Sequence, residues 1–352
     1  MRILAVSHPC TTDVNQQFYA ELEALGHEVH VLVPANLRTA YAPDGVQVKR
    51  WPAYAGTLEQ RRVFASGSVP LHGYLTPLRP LMRRYAPEVL FVEEEPYAVS
   101  AWQAMRASRG LPMTRVVYSA QNIRKSYPPP FRWMEQYVLR AADAAAVVSE
   151  DVGAVLRAKQ YSGRLLPFPL GVDTGQFRPL PETRARRRAE LGAGDELVVG
   201  YVGRFVEEKG IRVLCAAAEQ LAAQPAGQLG APSCRFLFVG GGPLLGELRE
   251  LERRHPRAVT VREGVSHGEV HEWMNAMDVL ALPSLTMPGW KEQFGRVIVE
   301  AMACGLPVVG TDSGEIGRLL QATGGGWTVP ERQPEALAAQ LLGLAARQAE
   351  RE

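Results

Sequence analysis

The chain has 352 residues, of which 46% are hydrophobic and 22% are charged. This composition is typical of a globular protein, and the length suits two domains because single cores seldom exceed roughly 250–300 residues. A formal net charge of +2 argues against a nucleic-acid-binding protein. Residues 1–175 hold 19 Lys and Arg against 15 Asp and Glu, and residues 176–352 hold 20 against 22. The mildly basic first half would favour an anionic acceptor or a membrane surface, or has no functional meaning.

The cysteines and the N-terminus indicate a soluble cytoplasmic protein that is at most membrane-peripheral. The four cysteines form no CxxC pair and no zinc-binding spacing, which favours free thiols in a reducing compartment. They are Cys10, Cys215, Cys234 and Cys304. The first apolar run is too short for a signal peptide, and no window reaches the roughly 18 apolar residues of a membrane span.

Short apolar runs alternate with helical patterns through the first 150 residues. The runs that predict strands are 3–6, 29–33, 89–92, 115–120 and 145–149. A helical pattern over 18–26 ends at Gly26, a common helix stop. This alternation predicts a doubly wound α/β sheet.

The character of the sequence changes near residue 170. A stretch rich in Pro and Gly leads into the basic run RARRR, which we interpret as an interdomain connection followed by an Arg-rich helix. A second alternating set follows, with predicted strands in 197–203, 236–242, 259–264, 278–284, 306–312 and 325–330. A last helical pattern covers 334–350. The sequence therefore predicts two Rossmann-like domains, over 1–172 and 173–352. Ligands of such sheets bind beyond the carboxyl ends of the strands.

The most informative segment is 283–314, which contains Glu292 and Glu300, eight residues apart. A helix is expected to start near Phe294–Gly295, and its first amides would form a site for a phosphate. Glu292 could accept hydrogen bonds from sugar hydroxyls while Glu300 takes a ribose diol. The alternative is a helix-end charge at Glu292 and a solvated Glu300. However, Glu300 lies in an apolar helical pattern, where an idle carboxylate is costly to bury.

A second segment, 199–210, offers Gly203, Arg204 and Lys209 between a strand that ends at Val202 and the next helix. Two cations at the carboxyl end of a strand suit a diphosphate, whose charge grows as it leaves. The alternative is a pair of exposed loop charges that bind Glu207 and Glu208.

Two further loops are candidates for nucleotide contacts. The glycine cluster 240–242, centred on Gly241, is either a ligand loop or a tight turn, and Pro243 suits a first helical position. In the loop 261–274, Arg262 and the backbone around Val265 could flank a base.

The strings VGRFVEEKG, FVGGGP and KEQFGRVIVEAMACGLPVVGTDSGEI resemble the nucleotide-sugar domain of the retaining glycosyltransferase family 4. The resemblance covers almost the whole chain in order and is most specific in 196–330. It implies the GT-B fold, in which two Rossmann-like domains face a central cleft, here an acceptor-binding domain over 1–172 and a nucleotide-sugar-binding domain over 173–352. It also implies retaining, metal-independent transfer of a hexose from a UDP-, GDP- or similar sugar, with no cofactor.

The resemblance assigns roles residue by residue. Arg204 and Lys209 match the diphosphate-binding cations of the family. Glu292 matches the first Glu of its E-x7-E motif, near the donor sugar, and Glu300 the second, at the ribose. Catalysis would then rest on Glu292, Arg204 and Lys209. The backbone amides that would face the donor belong to Phe294, Gly295, Arg296 and Val297.

Two features depart from the family pattern. Many members carry a glycine-rich loop after the first strand, whereas this chain has SHPCTTDVNQQF, in which Thr12 and Asn15 could cap a helix or contact the acceptor. Members also usually continue to a helix that returns to the N-terminal domain, whereas this sequence stops at Glu352. Either the protein is short here or further residues follow.

The acceptor side has weaker signals. Candidates follow two predicted strands, at Glu94 within residues 93–96 and at Gln121 and Asn122. The three clustered carboxylates suit either a site, with Arg or Lys partners, or a solvated loop. Residues 123–137 suit an acceptor loop, a membrane contact or an ordinary exposed loop and helix. His72 is interpreted as structural.

Three other functions compete with a glycosyltransferase. A nucleotide-sugar epimerase or hydrolase could use the same fold, and the altered first loop also suits a non-catalytic nucleotide-sugar-binding subunit. A dinucleotide oxidoreductase is disfavoured because no GxGxxG follows the first strand. The sequence specifies neither the sugar, the base nor the acceptor, which could be a glycan, a lipid or a small metabolite.

Overall fold

The computed structural model describes residues 1–38, 42, 44–223 and 234–349. The chain forms two compact units, Met1–Pro169 and Leu170–Glu352. Each unit is built around its own parallel sheet with its own hydrophobic core.

The first unit contains a seven-stranded sheet and a separate short hairpin. Its strands are β1 (Arg2–Ser7), β2 (Glu28–Pro34), β3 (Thr57–Arg61), β4 (Val63–Phe64), β5 (Gly73–Tyr74), β6 (Val89–Glu93), β7 (Thr114–Ser119), β8 (Ala144–Val147) and β9 (Arg164–Pro167). The sheet order is β3-β2-β1-β6-β7-β8-β9, and the hairpin pairs β4 with β5. The five predicted strands lie at the centre of this sheet. The sequence reading missed both edge strands and the hairpin.

Five helices cover the two faces of this sheet. They are α1 (Gln17–Ala24), α2 (Arg79–Tyr85), α3 (Val99–Ala107), α4 (Phe131–Ala141) and α5 (Glu150–Ala158). Two tight 3-10 turns, Pro9–Thr11 and Asp13–Gln16, stand between β1 and α1. Because both faces of the central strands are covered, residues such as Leu4 and Ala5 are fully buried on opposite sides of β1.

The second unit contains a six-stranded parallel sheet in the order β12-β11-β10-β13-β14-β15. Its strands are β10 (Leu197–Arg204), β11 (Cys234–Gly241), β12 (Val259–Arg262), β13 (Val279–Leu282), β14 (Val308–Thr311) and β15 (Gly326–Val329). Its helices are α6 (Pro181–Leu191), α7 (Ile211–Ala222), α8 (Leu245–Arg254), α9 (His267–Asn275), α10 (Arg296–Ala303), α11 (Ile316–Thr323) and α12 (Pro334–Ala349). All six predicted strands are present.

Two boundary predictions change in this unit, and a third is confirmed at its start. Strand β10 extends two residues beyond Val202, to Arg204. Pro243 is not a first helical position, because α8 begins at Leu245 after a turn. The last helix begins at Pro334 as predicted, and residue 350 of that prediction lies outside the described residues.

The predicted fold class, α/β with two Rossmann-like sheets, is therefore confirmed. Within the residues that the structure describes, no helix combines the length and the apolar composition needed to cross a bilayer.

Candidate donor and acceptor sites

Several loops meet at the carboxyl edge of the second sheet. They follow β10, β11, β13 and β14, the four central strands of the sheet order. Three backbone hydrogen bonds join them: Phe205 N to Gly241 O at 2.8 Å, Leu285 N to Glu208 O at 2.8 Å, and Glu315 N to Glu292 O at 3.1 Å. Three of the segments that the sequence singled out, 199–210, 240–242 and 283–314, thus form one connected surface, at the edge where parallel sheets bind ligands.

Lys209 and Glu292 form an ion pair within this surface. The Lys209 Nζ lies 2.6 Å from Glu292 Oε2, and the side chains are 17% and 7% exposed. The hydroxyl of Ser284 donates to the same carboxylate oxygen at 3.0 Å. The Lys209 ammonium also lies 5.2 Å from the centre of the Trp290 ring. The alternative that Lys209 binds Glu207 or Glu208 is therefore wrong, since its carboxylate partner is Glu292, 83 residues away in the chain.

Arg204 is more accessible than Lys209. Its side chain is 47% exposed at the end of β10, with Nη2 3.3 Å from Glu208 Oε1. Its backbone carbonyl accepts a 2.7 Å hydrogen bond from the buried Tyr201 hydroxyl. Burial, followed by the charge of Glu292, raises the pKa of Tyr201. Tyr201 is therefore a neutral donor that fixes the backbone from which Arg204 projects.

The glycines of these loops differ in whether a side chain would fit at their positions. A side chain at Gly240 would place its Cβ 1.9 Å from the carbonyl oxygen of Gly203, so β10 and β11 need glycine there to approach closely. A Cβ at Gly242 would lie 2.6 Å from the Phe205 carbonyl oxygen. Gly241 has nothing within 4 Å of that position. Of the cluster, Gly241 alone therefore presents backbone to open space.

Helix α10 begins where the sequence predicted. Gly295 is its N-cap, with a φ of 79° that favours glycine, and its carbonyl accepts from the amide of Ile298 at 2.8 Å. Phe294 is buried, while Arg296 and Val297 are half-buried in the first turn. The first amides of this helix lack intrahelical partners, and the helix dipole favours an anion beside them.

Glu300 is the fifth residue of α10 and is 6% exposed. Burial raises the pKa of its carboxyl group, and the charge of Arg296 opposes this. The alternative that Glu300 is a solvated helix charge is therefore wrong.

The two residues predicted to flank a base lie at the end of β12. The Arg262 guanidinium stacks over the Trp273 ring of α9, at 5.3 Å from its centre. Val265 is half-buried and packs against the core of the unit. The Trp273 ring, which also lies 4.4 Å from the Arg187 guanidinium, was not singled out by the sequence.

The acceptor-side candidates belong to the first unit, where β6 ends in the first of three consecutive carboxylates. Glu93 accepts hydrogen bonds from the Ser7 hydroxyl at 2.6 Å and the Tyr19 hydroxyl at 2.7 Å. Glu95 accepts from the Ser119 hydroxyl and the Ala120 amide, both at 2.8 Å. Burial raises the pKa of both carboxyl groups. The solvated-loop alternative for these residues is wrong.

Glu94 lies between two histidines. Its Oε2 is 2.7 Å from His8 Nδ1, its Oε1 accepts from the His8 amide at 2.9 Å, and His72 Nε2 is 3.5 Å from Oε1. Burial alone would raise the pKa of Glu94, but the charge of His8, the His8 hydrogen bond and the neighbouring His72 ring lower it to about 2. Burial lowers the pKa of His8, but the charge of Glu94, its hydrogen bond and the charges of Glu93 and Glu95 together outweigh burial, and the net shift is upward. A structural role for His72 agrees with its complete burial.

The sequence reading missed His8, whose side chain is 25% exposed. Its position just after the first strand, at the carboxyl edge of the sheet, was the signal that could have found it.

The remaining acceptor-side candidates make internal contacts. The Asn15 amide donates to the Pro9 carbonyl at 2.8 Å, and Thr12 is exposed. Gln121 is buried, with Nε2 2.5 Å from the Tyr127 hydroxyl and Oε1 2.9 Å from Lys159 Nζ. Asn122 is buried beside it. These contacts hold the loops after β1 and β7 in place.

Comparison with known proteins identifies the class. Residues 196–347 match the model described as glycosyl transferases group 1, and residues 12–171 match the model described as a glycosyl transferase 4-like domain. The chain is a glycosyltransferase of the GT-B fold class.

Known relatives and a solved structure agree with this class. The GDP-mannose-dependent alpha-(1-6)-phosphatidylinositol monomannoside mannosyltransferase of Mycobacterium tuberculosis is 33% identical over 317 residues, which cover 86% of this chain and 79% of the relative. The enzyme of the same description from Mycolicibacterium smegmatis is 36% identical over 157 residues, but the match covers 44% of this chain and only 40% of that enzyme. The Anabaena protein HepE, solved in complex with UDP, has a TM-score of 0.69 at 20% identity, over 100% of this chain and 94% of the other.

The chain therefore belongs to glycosyltransferase family 4. The predicted activity class, a nucleotide-sugar-dependent glycosyltransferase, is confirmed at the level of the family.

Proposed function

We propose that this protein transfers a hexose from a UDP- or GDP-sugar to a hydroxyl group of an acceptor, with retained anomeric configuration and without a metal ion. The observation that carries the proposal is the Lys209–Glu292 pair, at 2.6 Å, on the carboxyl edge of the second sheet. A cation and a carboxylate side by side suit a ligand that joins a diphosphate to a polyhydroxylated sugar. The relatives named above include GDP-mannose-dependent enzymes and a protein solved with UDP, so both bases are candidates.

The donor would be held by both side chains and backbone. Arg204 and Lys209 bind the diphosphate and stabilise the charge that grows on it as the glycosidic bond breaks. Glu292 accepts hydrogen bonds from sugar hydroxyls, and Glu300 accepts from the ribose diol. The other proposed donor contacts are Gly203, Gly241, Arg262, Val265, Phe294, Gly295, Arg296 and Val297.

The proposed reaction takes place on one face of the sugar. The acceptor oxygen forms a bond to the anomeric carbon on the side from which the diphosphate leaves. The bond between that carbon and the phosphate oxygen breaks, and its electron pair goes to the nucleoside diphosphate. A phosphate oxygen takes the proton of the acceptor hydroxyl. This step requires no enzymic nucleophile, and Lys209 beside the phosphate lowers its barrier.

Acceptor binding is proposed for the first unit. Thr12 and Asn15 would contact the acceptor from the loop after β1, and Glu94, Gln121 and Asn122 would line its site. Because these last three side chains are buried, we expect them to shape the site and position exposed neighbours.

The test begins with a thermal-shift screen of UDP-, GDP- and ADP-sugars, since a ligand that binds only the folded state raises its stability. The donor found there is incubated with candidate acceptors, and the anomeric proton of the product is examined by NMR with and without EDTA. We expect the donor's own configuration and an unchanged rate in EDTA. An inverted product rejects retention, and a rate abolished by EDTA and restored by Mg²⁺ rejects metal independence. An epimerised or hydrolysed donor with every acceptor rejects the transferase.

A further inference from the structure

We propose that the first unit docks on an anionic lipid bilayer through a surface formed by residues 62–75 and 123–134, here called the hairpin–α4 surface. The first segment contains the β4–β5 hairpin, and the second contains the loop after β7 and the start of α4. This proposal names the lipid partner and its contact surface, and it does not depend on the donor chemistry proposed above.

The hairpin–α4 surface exposes an unusual amount of apolar side chain. The exposed apolar residues are Phe64 at 43%, Val69 at 37%, Leu71 at 40%, Leu75 at 60% and Trp133 at 65%. Single exposed apolar residues are ordinary on a protein surface, but clustered ones mark an interaction site. Trp is also the side chain best suited to the membrane interface, because its ring is apolar while its N–H remains hydrated.

The charge of the same surface has one sign. The two segments contain four basic residues and no Asp or Glu. The basic residues are Arg62, Arg124, Lys125 and Arg132, and all four are exposed. Among the residues that the structure describes, none of these four forms an ion pair with a carboxylate. Cations beside exposed apolar and aromatic groups match the headgroups and the acyl boundary of an anionic leaflet.

The two segments are joined through the start of α3. The amide of Val99 donates to the carbonyl of Pro70 in the hairpin loop at 3.0 Å. Two residues earlier, the Tyr97 ring stacks on the Tyr127 ring of the loop after β7, with centres 4.4 Å apart. The hairpin and the start of α4 are therefore connected parts of one surface.

Helix α4 has one face buried against the core and another face that is exposed. Val138 and Leu139 of α4 are buried against the core of the unit, whereas Arg132 and Trp133 in its first turn point away from it. A protein partner would have to meet four cations with carboxylates and cover the exposed apolar side chains as well. An anionic bilayer satisfies both the charge and the apolar groups at once.

The test uses cosedimentation of the full chain with vesicles of phosphatidylcholine alone or with about 30% phosphatidylglycerol, without donor or acceptor. We expect binding to the anionic vesicles only, weakening as salt rises. The triple variant Arg124→Ser/Lys125→Ser/Arg132→Ser should lower partitioning by about a hundredfold, since each cation contributes on the order of fivefold. The double variant Leu75→Ser/Trp133→Ser should also weaken binding.

Two controls distinguish this surface from general basicity. Arg83→Ser/Arg84→Ser/Arg140→Ser removes the same charge from exposed positions of the same unit, and Leu25→Ser removes an apolar side chain that is 74% exposed beyond α1. Both should bind vesicles as the wild type does. Absence of wild-type binding, or equal loss in the charge control, would overturn the proposal. So would a wild-type dimer in light scattering that the Leu75→Ser/Trp133→Ser variant dissociates, because that result assigns the surface to protein contact.

Discussion

Lys209 and Glu292 are coupled but unequally exposed, so their substitutions should have unequal costs. Lys209→Met leaves a carboxylate that is 7% exposed without its cation, whereas Glu292→Gln leaves a lysine that can turn toward water. We expect Lys209→Met to lower the free energy of unfolding by about 2–3 kcal/mol, Glu292→Gln by about 1 kcal/mol, and the double variant to be less than additive. Urea denaturation of the four proteins measures this coupling.

The same substitutions test the donor site. Either one should lower kcat/KM by roughly a hundredfold or more, because each removes a group proposed to bind the donor. Glu335→Gln, at an exposed position in the first turn of α12, is the control and should leave turnover unchanged. Full activity in Glu292→Gln would exclude this carboxylate from catalysis.

Glu94 gives a stability that depends on pH in a defined direction. Its pKa is lowered to about 2, so its contribution is present above its unfolded pKa of about 4.5 and lost as pH falls toward 2. The pKa of His8 is raised, so its contribution is present below its unfolded value of about 6.5 and lost as pH rises through the folded value. The pair therefore stabilises the fold most between the two unfolded pKa values, about 4.5 for Glu94 and about 6.5 for His8.

Glu94→Gln should accordingly cost more at pH 5.5 than at pH 8.5. We expect a loss on the order of 3 kcal/mol at the lower pH, and a smaller loss at the higher pH, because the charge of His8 is lost as pH rises through its folded pKa. Guanidinium denaturation at the two pH values measures the difference. His72→Gln should lower the free energy of unfolding by a similar amount at the two pH values, because a fully buried ring is lost at either pH. A Glu94→Gln effect that does not change with pH would show that His8 gains nothing from the charge.

At the scale of elements, two glycines allow the loops of the donor site to approach one another closely. Gly210 has a φ of 69°, and a Cβ there would lie 1.8 Å from the Pro283 carbonyl oxygen. Gly314 has a φ of 58°, and its Cβ would lie 2.0 Å from the Glu292 carbonyl oxygen. Gly324 has a similar φ of 63° but nothing within 4 Å. Substitution at Gly324 therefore tests backbone strain alone, whereas substitution at Gly210 or Gly314 adds a steric clash to that strain.

Alanine at each of these positions should therefore have graded effects. Gly324→Ala should lower the free energy of unfolding by about 1 kcal/mol, because a residue with a side chain is strained in the left-handed conformation. Gly210→Ala and Gly314→Ala should cost several kcal/mol, or displace the loop and weaken donor binding at least tenfold. Thermal unfolding and donor titration measure both quantities. Equal effects at all three positions would mean that the loops are not packed as tightly as these distances require.

The sequence predicted elements well where their pattern is strong. Apolar runs such as 236–242 were recognisable because parallel strands buried on both faces are nearly continuous in apolar residues. Strand β3, with the sequence TLEQR, was missed because an edge strand is half exposed and lacks that run. The β4–β5 hairpin has two residues in each strand, too few for any periodicity.

The candidate site was predictable only in part, for a related reason. Gly295 and the start of α10 were found because a glycine before an apolar helix is a local signal. The pairing of Lys209 with Glu292 and of His8 with Glu94 joins residues 83 and 86 positions apart. Such pairs depend on the order of strands in a sheet, which local composition does not encode.

At the scale of the whole molecule, the second unit has what an independent domain needs. Its core cluster runs from Phe177 to Ala345 and lies entirely within Leu170–Glu352. All the proposed donor contacts, from Gly203 to Glu300, belong to the same unit. Helix α12 packs on α7 and closes one face of the sheet. A polypeptide of residues 170–352 should therefore fold alone and keep the donor site, because its core and all the proposed donor contacts lie within it.

This last prediction can be measured with the nucleotide alone. The polypeptide 170–352 should unfold cooperatively, and UDP or GDP at about a hundred times its dissociation constant should stabilise it by about 2.7 kcal/mol. For a domain of this size that corresponds to a rise in Tm of roughly 5–10 °C. Lys209→Met in the same polypeptide should remove most of the rise, while Glu335→Gln should not. A folded polypeptide that binds neither nucleotide, when the full chain binds one, would show that donor binding needs the first unit, and the donor contacts proposed here would then be incomplete.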